Sequence, residues 1–346
     1  MPAAGNHCNQ PAGNANITGD IELVNFEQYS VSKLRLSCVD DSNHIVYLSG
    51  LTATEADHPT SHGFIPNHRY LIENVEDSLT LSGQWFLDRS STPWTLTYHA
   101  SSGESPNTDT VIAPQLTQLL VASALQYVTV RGLIFEHDNH TMPKTGHNAA
   151  SVIISAISFQ NSQHITVDSV TVAQTSGTGL EFISCIDHSS PKWCTAYNTA
   201  GVSANNVIQN SAFYDLASAG IRIGVAGNAT DTNANVPQFH TVQNTIVYGP
   251  VYPSSDGIDQ GQGHDNLYTH NEVYDGYKGG IKVCYCANSE VNRPFTNNNV
   301  VSFNHVHDKF QGIMNDSGSI YFWRRHAYPS AIRNRQQDAE QQSPRG

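Results

Sequence analysis

The chain has 346 residues, of which 14% are charged, and its 17 Lys and Arg against 30 Asp and Glu leave a net charge of −13. That sign is wrong for a nucleic-acid or anionic-membrane surface, and no run of about 18 apolar residues is present to span a bilayer. Scarce charge combined with abundant Asn, Ser, Thr, Gly, Val and Ile excludes long charged amphipathic helices and predicts short strands joined by polar turns.

Residues 1–19 open with Met1-Pro-Ala-Ala-Gly-Asn and carry neither a basic stretch nor an apolar stretch. They read as a disordered or loop N-terminus and not as a secretory signal. Residues 20–125 read as a β-rich module. Segments 20–26 and 32–38 alternate as strands, a loop rich in Pro, His and Gly fills 52–68, and strand-like stretches follow at 70–89 and 94–98.

From residue 126 onward a loose unit recurs, with members beginning near Val128, Ile165, Val207, Val242, Tyr268 and Val301. Aligning its turn position gives Arg131, Asp168, Asn210, Asn244, Asn271 and Asn304. A second strand led by Gly and an aliphatic residue follows in most units: Gly179-Leu180, Gly220-Ile221, Gly257-Ile258, Gly280-Ile281 and Gly312-Ile313. Strand, Asn corner, strand, Gly-led strand and variable loop make one turn of a parallel β-helix, each turn stacked on the last at about 4.8 Å. Asn suits the corner because it tolerates a left-handed backbone and its amide can bond to the same position one turn above. A β-sandwich would not keep one Asn-then-Gly register at irregular periods. The expected fold is therefore all-β, a parallel β-helix solenoid over 126–322 behind a small N-terminal β-rich module, with a frayed or disordered tail at 323–346. The irregular lengths fall at 183–204, 225–237, 249–256 and 285–298, beside the Gly-led strand, so these loops project from one face, where solenoids bind.

The cysteines Cys8, Cys38, Cys185, Cys194, Cys284 and Cys286 match neither a dense disulfide framework nor a tetrahedral zinc pattern. Cys185 and Cys194 can close a loop in an oxidising compartment. Cys284 and Cys286 share one face of a strand, as buried thiols do.

Acids at the mouth of the Gly-led strands are the candidate chemistry. Asp256 immediately precedes Gly257-Ile258 and Asp316 lies two before Gly318, which makes them the leading carboxylate pair; Asp259 is the third candidate. The run from Asp256 to His264 packs acids, glycines and a His into one segment, and glycine lets backbone approach a ligand closely. Asp215, Asp275 and Asp308 share a repeat column, which reads first as a structural ladder; Asp275, beside Gly276-Tyr277, is the member best placed for recruitment. The cluster Glu136-His137-Asp138-Asn139-His140 has no zinc spacing, so His137 and His140 are read as lining a polar, ligand-facing loop, and no metal is assigned. Tyr277 and Tyr321 are candidate stacking platforms, and Arg222 and Lys282 occupy equivalent positions in two Gly-led strands. His305 and His307 alternate with Val306 and face outward.

The stretch Glu73-Asn74-Val-Glu-Asp-Ser-Leu79, Ser82-Gly-Gln-Trp-Phe-Leu-Asp-Arg89, Leu96-Thr-Tyr98, Gly103-Glu104 and Val111-Ile-Ala-Pro114 resembles a block common in bacterial right-handed parallel β-helix proteins. Met314-Asn-Asp-Ser-Gly-Ser-Ile-Tyr321 is similar to a later element of the same group. Gln84 stands where the pattern has Glu, and Ser319 where it has a second Gly. The resemblance covers about residues 20–322. It implies a right-handed helix and carbohydrate chemistry, since the group is similar to β-helix glycoside hydrolases with xylanase, β-xylosidase and α-fucosidase activities. It further implies a secreted or periplasmic protein, a polysaccharide or oligosaccharide partner, no cofactor and a monomer. Members of the group carry a signal peptide and further turns, so this chain reads as a truncated member.

Glycoside hydrolysis by a carboxylate pair, with Asp256 and Asp316 foremost, is the leading expectation. A polysaccharide lyase on the same fold is the alternative, with Arg222 or Lys282 near the abstracted proton and calcium as the one cofactor that chemistry would use. A non-catalytic carbohydrate-binding or inactive solenoid is the other.

Overall fold

A computed structural model of the chain describes residues 10–11, 21–27, 30–40, 43–50, 52, 63–89, 92–105, 108–140, 146, 154–184, 193–194, 201–224, 226–227, 236–249, 256–283, 296–309 and 318–322. Among these the elements are strands, apart from one turn of 3-10 helix at Glu76–Ser78. No described helix is long and apolar enough to cross a membrane.

The N-terminal module is an antiparallel sheet centred on Val31–Asp40, with Glu22–Phe26, Ile45–Ser49 and Gln10–Pro11 paired to it and Tyr70–Glu73 paired to Glu22–Phe26. Alternation in the central strand buries Leu34 and Leu36 with Val24 and Leu23 of its neighbour. Cys38, in the central strand, is disulfide-bonded. Cys185, Cys284 and Cys286 lie outside the described residues, and so does the tail. The block that carries the family resemblance forms a hairpin, Trp85–Asp88 with Thr95–Tyr98. Its polar residues shape the turns: the Gln84 amide oxygen accepts the backbone N–H groups of Thr80 and Leu81 at 2.9 Å each. Glu104 accepts the Tyr98 hydroxyl at 2.5 Å and the Ser101 N–H at 2.7 Å. Gln84 thus accepts from the backbone through an amide oxygen, a task a carboxylate could also perform.

Behind this module the chain winds into a parallel β-solenoid of three sheets. Sheet 1 has seven strands: Leu120–Ser123, Ile157–Gln160, Leu180–Ile183, Ile221–Ile223, Ile258–Gln260, Ile281–Val283 and Ile320–Phe322. Sheet 2 has six, from Thr129–Arg131 to Val300–Ser302, and sheet 3 has six, from Ile134–Glu136 to His305–Val306. Each turn visits sheets 1, 2 and 3 in order, and registers are in phase, so one position in a strand becomes a column along the rod. The inward columns fill the core: Val167, Ile208, Val242 and Tyr268 from sheet 2; Val172, Phe213, Val247 and Val273 from sheet 3; and the leading aliphatics of sheet 1.

The corners turn on residues with positive φ. Between sheets 2 and 3 that column is Gly132, Ser169, Asn210, Asn244, His270 and Phe303; between sheets 3 and 1 it is His137, Gln174, Asp215, Gly249, Asp275 and Asp308. Asparagine ladders run beside the corners. Asn244 Nδ2 donates to Asn210 Oδ1 at 2.6 Å and Asn210 Nδ2 to Asp168 Oδ1 at 2.8 Å. One position further on, Asn271 Oδ1 accepts the Thr245 N–H at 3.1 Å and Asn304 Oδ1 the Asn271 N–H at 2.9 Å. The single corner column read from the sequence is therefore corrected to three. Arg131 and Asp168 close strands in register with Gln209 and Gln243, Asn210 and Asn244 occupy the left-handed corner, and Asn271 and Asn304 follow it. Asn serves both as the left-handed residue and as the buried cap beside it, so a slip of one position leaves the pattern looking intact.

The Gly-led start of sheet 1 has a steric cause. A Cβ on Gly257 would overlap Cγ1 of Val273, and one on Gly280 would overlap Cγ1 of Val306, both inward residues of sheet 3. The last strand of the column begins after Ser319 and not after Gly312: Ile281 N–H bonds to Ser319 O at 3.0 Å, and Ile281 registers with Ile320. Gly312 itself lies outside the described residues.

Candidate active site

Strand alternation turns the second residue of each sheet 1 strand outward. The resulting column reads Val121, Ser158, Glu181, Arg222, Asp259, Lys282, Tyr321. Four successive members are charged and alternate in sign, each about 4.8 Å along the rod from the next. They are largely shielded from solvent: Glu181, Arg222 and Lys282 are buried, as is the neighbouring Ser158, and Asp259 is partly buried.

The geometry is tightest at Lys282. Its Nζ lies 3.0 Å from Asp256 Oδ2 and 2.8 Å from Asp259 Oδ1. Because one ammonium touches both oxygens, these can be no farther apart than the sum of those distances, the scale of the carboxyl pairs of retaining glycosidases at about 5–5.5 Å. Burial works against the ammonium, but Asp259 and then Asp256 override it and hold the amine above its ordinary value. Lys282 is thus held as a cation between the two carboxylates. The three side chains differ in access: Asp256 is 0% exposed, Lys282 11% and Asp259 14%. Asp259 faces outward, and Asp256 braces the lysine from behind.

One turn back along the column, Arg222 Nη1 approaches Glu181 Oε2 at 3.8 Å, and the Ser158 hydroxyl donates to Glu181 Oε1 at 2.7 Å. The two Arg222 Nη atoms are buried and make no hydrogen bond with the described residues. Inside the turn that carries Asp259 the core is locally polar. Gln260 replaces an apolar residue, accepting the Tyr268 hydroxyl at 2.6 Å and donating to Gly263 O at 2.9 Å.

Lys309 is a residue that the sequence reading passed over. It forms a β-bridge with Gly276, and its Nζ occupies the space that a Cβ on Gly276 would fill. Burial pushes its amine down to about 8, against the opposing pull of Asp256 and Asp275. The clue was positional: Lys309 follows Asp308 as Gly276 follows Asp275. Glu181 was also missed, although alignment of the Gly-led strands puts it in line with Arg222, Asp259 and Lys282.

Of the residues singled out in the sequence, the structure brings together Asp256, Asp259, Lys282, Arg222 and Tyr321 on or beside one column, with Asp275 reached through Lys309. Asp275 itself is exposed at the left-handed corner with φ 53°, in line with Asp215 and Asp308. Tyr277 is half-buried in that corner. His264 sits past the far end of the Ile258–Gln260 strand from Asp256, with Nδ1 2.6 Å from Asp265 Oδ2. His137 shares the corner column of Asp275 but lies four turns away, about 19 Å along the rod. His140 is near Lys33 of the N-terminal sheet, and burial, then that lysine, lowers its pKa. Asp316 lies outside the described residues.

No family model matches the sequence, and no curated protein does. A solved structure described as "Glycoside hydrolase" aligns with a TM-score of 0.69 over 90% of this chain and 69% of its own, at 13% sequence identity. The chain shares the fold of that structure. At that identity the likeness is one of fold, and the chemistry of the charged column has to be argued from its own atoms.

Proposed function

We propose that the protein is a carbohydrate-active enzyme, a glycoside hydrolase that cleaves a polysaccharide or oligosaccharide over the Asp256, Asp259 and Lys282 end of the outward column of sheet 1. The observation that carries this reading is the pair of aspartates sharing one buried ammonium. Packing two carboxylates against one buried ammonium is costly, and such clusters of shielded charge concentrate at functional sites. Asp259, the more accessible, serves as the carboxylate that stabilises the oxocarbenium-like transition state, as nucleophile or as base toward water. Asp256 acts as a positioning residue through Lys282. The proton donor to the leaving group we assign to Asp316. The strand after Asp316, Ile320–Phe322, stacks two strands beyond Ile258–Gln260, about 10 Å along the rod. Arg222 and Tyr321, flanking in the same column, are assigned to sugar contacts. The disulfide at Cys38 supports an oxidising, extracytoplasmic location.

Lys309 supports a second reading. An amine held near 8 is a base in the physiological range, which is what a lyase needs to remove the proton next to a uronate carboxylate. Incubation with neutral and uronate-containing glycans separates the two. Reducing ends appearing without ultraviolet absorbance, lost in Asp259→Asn with KM little changed, support the hydrolase. Unsaturated products that vanish in Lys309→Ala and on chelation select the lyase, and no turnover of any glycan overturns both.

A further inference from the structure

At the far end of sheet 3, on a different face of the rod, three metal-ligating side chains converge. Glu272 projects from the Glu272–Tyr274 strand and registers with His305 of the next strand. His305 and His307, two residues apart, turn to the same side. Glu272 Oε1 lies 3.4 Å from His305 Nδ1 and 3.4 Å from His307 Nε2, and one ligand atom from each of the three residues falls within 4.8 Å of the others.

We propose that Glu272, His305 and His307 form a binding site for a divalent transition metal of the zinc class. With zinc–nitrogen and zinc–oxygen bonds of about 2.0–2.2 Å, the corners of a tetrahedral site are about 3.3–3.5 Å apart, which is the spacing of both contacts to Glu272. Two imidazoles and a carboxylate are a borderline N/O donor set, suited to zinc, cobalt or nickel and poor for calcium or magnesium. The second coordination layer is in place as well. Asp308 Oδ2 lies 2.8 Å from His307 Nδ1, so the carboxylate holds the ring proton on Nδ1 and leaves the Nε2 lone pair facing Glu272. The His307 ring is further fixed by stacking on Tyr274, with centroids 5.0 Å apart and planes 5° from parallel. His305, 70% exposed, stacks on His307 with ring centroids 4.2 Å apart and planes 26° from parallel, so a ring rotation has to bring its nitrogen onto the ion, and the open side leaves a fourth position for water. Bound there, the ion would clamp two successive turns of sheet 3. This inference does not depend on the proposed glycosidase activity.

The test is zinc binding by tag-free protein stripped with a chelator, followed by titration calorimetry and by cobalt(II) substitution. We expect one zinc per chain that calcium does not compete away, and a visible cobalt band of tetrahedral intensity. In His305→Ala the dissociation constant should rise about 100-fold, and in Asp308→Asn, which disturbs the proton on His307, about 10-fold. Since His305 is mostly exposed, its alanine variant is expected to keep the fold, checked by circular dichroism in chelator. Unchanged zinc affinity in His305→Ala, or no saturable zinc binding by the wild-type chain, overturns the site.

Discussion

Two outward columns of the same solenoid reverse the usual distribution of polarity. On sheet 3, Tyr214, Tyr248, Tyr274 and His307 stack ring upon ring at centroid spacings of 5.1, 5.1 and 5.0 Å, and remain partly open to solvent. On sheet 1, Glu181, Arg222 and Lys282 are buried together with Asp256, while Asp259 is nearly so. Both follow from one rule: a parallel register sets like positions about 4.8 Å apart, so whatever occupies a column forms a continuous line. Rings at that spacing stack. Charges at that spacing repel unless their signs alternate, and on sheet 1 they do. A covered line of charge contributes little to folding in comparison with an apolar one, so its presence points to use, whereas the aromatic line is explained by stacking alone.

The largest expected effect comes from breaking the charged column at its centre. Lys282→Met leaves Asp256 and Asp259 buried without their cation and should destabilise the protein by about 3–5 kcal/mol in urea melts. Removing the charges together, in Asp256→Asn, Asp259→Asn, Lys282→Met, should return most of that loss. A single variant that melts like the wild type would mean that water reaches the column, and sheets 1 and 3 would then not differ in kind.

Next is the joint where the two sheets meet. Gly257→Ala pushes a methyl into Val273, and overpacking a tight core contact costs about 3 kcal/mol. Pairing it with Val273→Ala should recover part of the loss. If Gly257→Ala is neutral, the leading glycines of sheet 1 are not set by the inward valines of sheet 3.

A buried cation on this solenoid needs its counter-charges, and His240 is the control. It lies in the corner column between Asn206 and Asn266, stacked on Phe182 at 5.4 Å, with Nε2 3.1 Å from Ser203 O and no carboxylate beside it. Burial pushes its pKa from 6.5 to about 3, against a smaller opposing hydrogen bond. The folded-state value is depressed, so the stability it permits is complete above pH 6.5 and is lost as pH falls toward 3. Between pH 7.5 and 5 the protein should lose about 2 kcal/mol through this residue. His240→Asn, which keeps a corner amide, should flatten that part of the profile; an unchanged slope would assign the loss to other groups.

How much of this was legible beforehand depended on whether a residue acts through its backbone or through company. Gly179, Gly220, Gly257 and Gly280 marked the start of sheet 1 because backbone crowding admits nothing larger, and that shows in one sequence. Asn210 and Asn271 were recognised as corner residues but set in one register, because two neighbouring positions of the corner favour the same side chain. Arg222 and Lys282 were matched to each other from the Gly-led strands, yet the alternation with Glu181 and Asp259 was not seen, since opposite charges do not resemble a repeat. Lys309 and Gln260 were invisible for a different reason: their surroundings are made by the turns before and after them. Asp256 and Asp259 were chosen by their position at a strand mouth and Asp275 as a member of a repeat column, but the ammonium that pairs with Asp256 and Asp259 comes from the next turn.

The smallest effect distinguishes stacking from hydrogen bonding in the aromatic column. Tyr248 touches Tyr214 on one side and Tyr274 on the other, and aromatic pairs contribute about 0.5–1.5 kcal/mol beyond the area they bury. Tyr248→Ala should therefore cost about 1 kcal/mol, because its open position limits the rest of the loss, while Tyr248→Phe should be close to neutral. Neither should alter glycan turnover, since the ring faces away from sheet 1. Were Phe as damaging as Ala, the hydroxyls rather than the ring faces would hold this column together, and sheet 3, like sheet 1, would be a polar line.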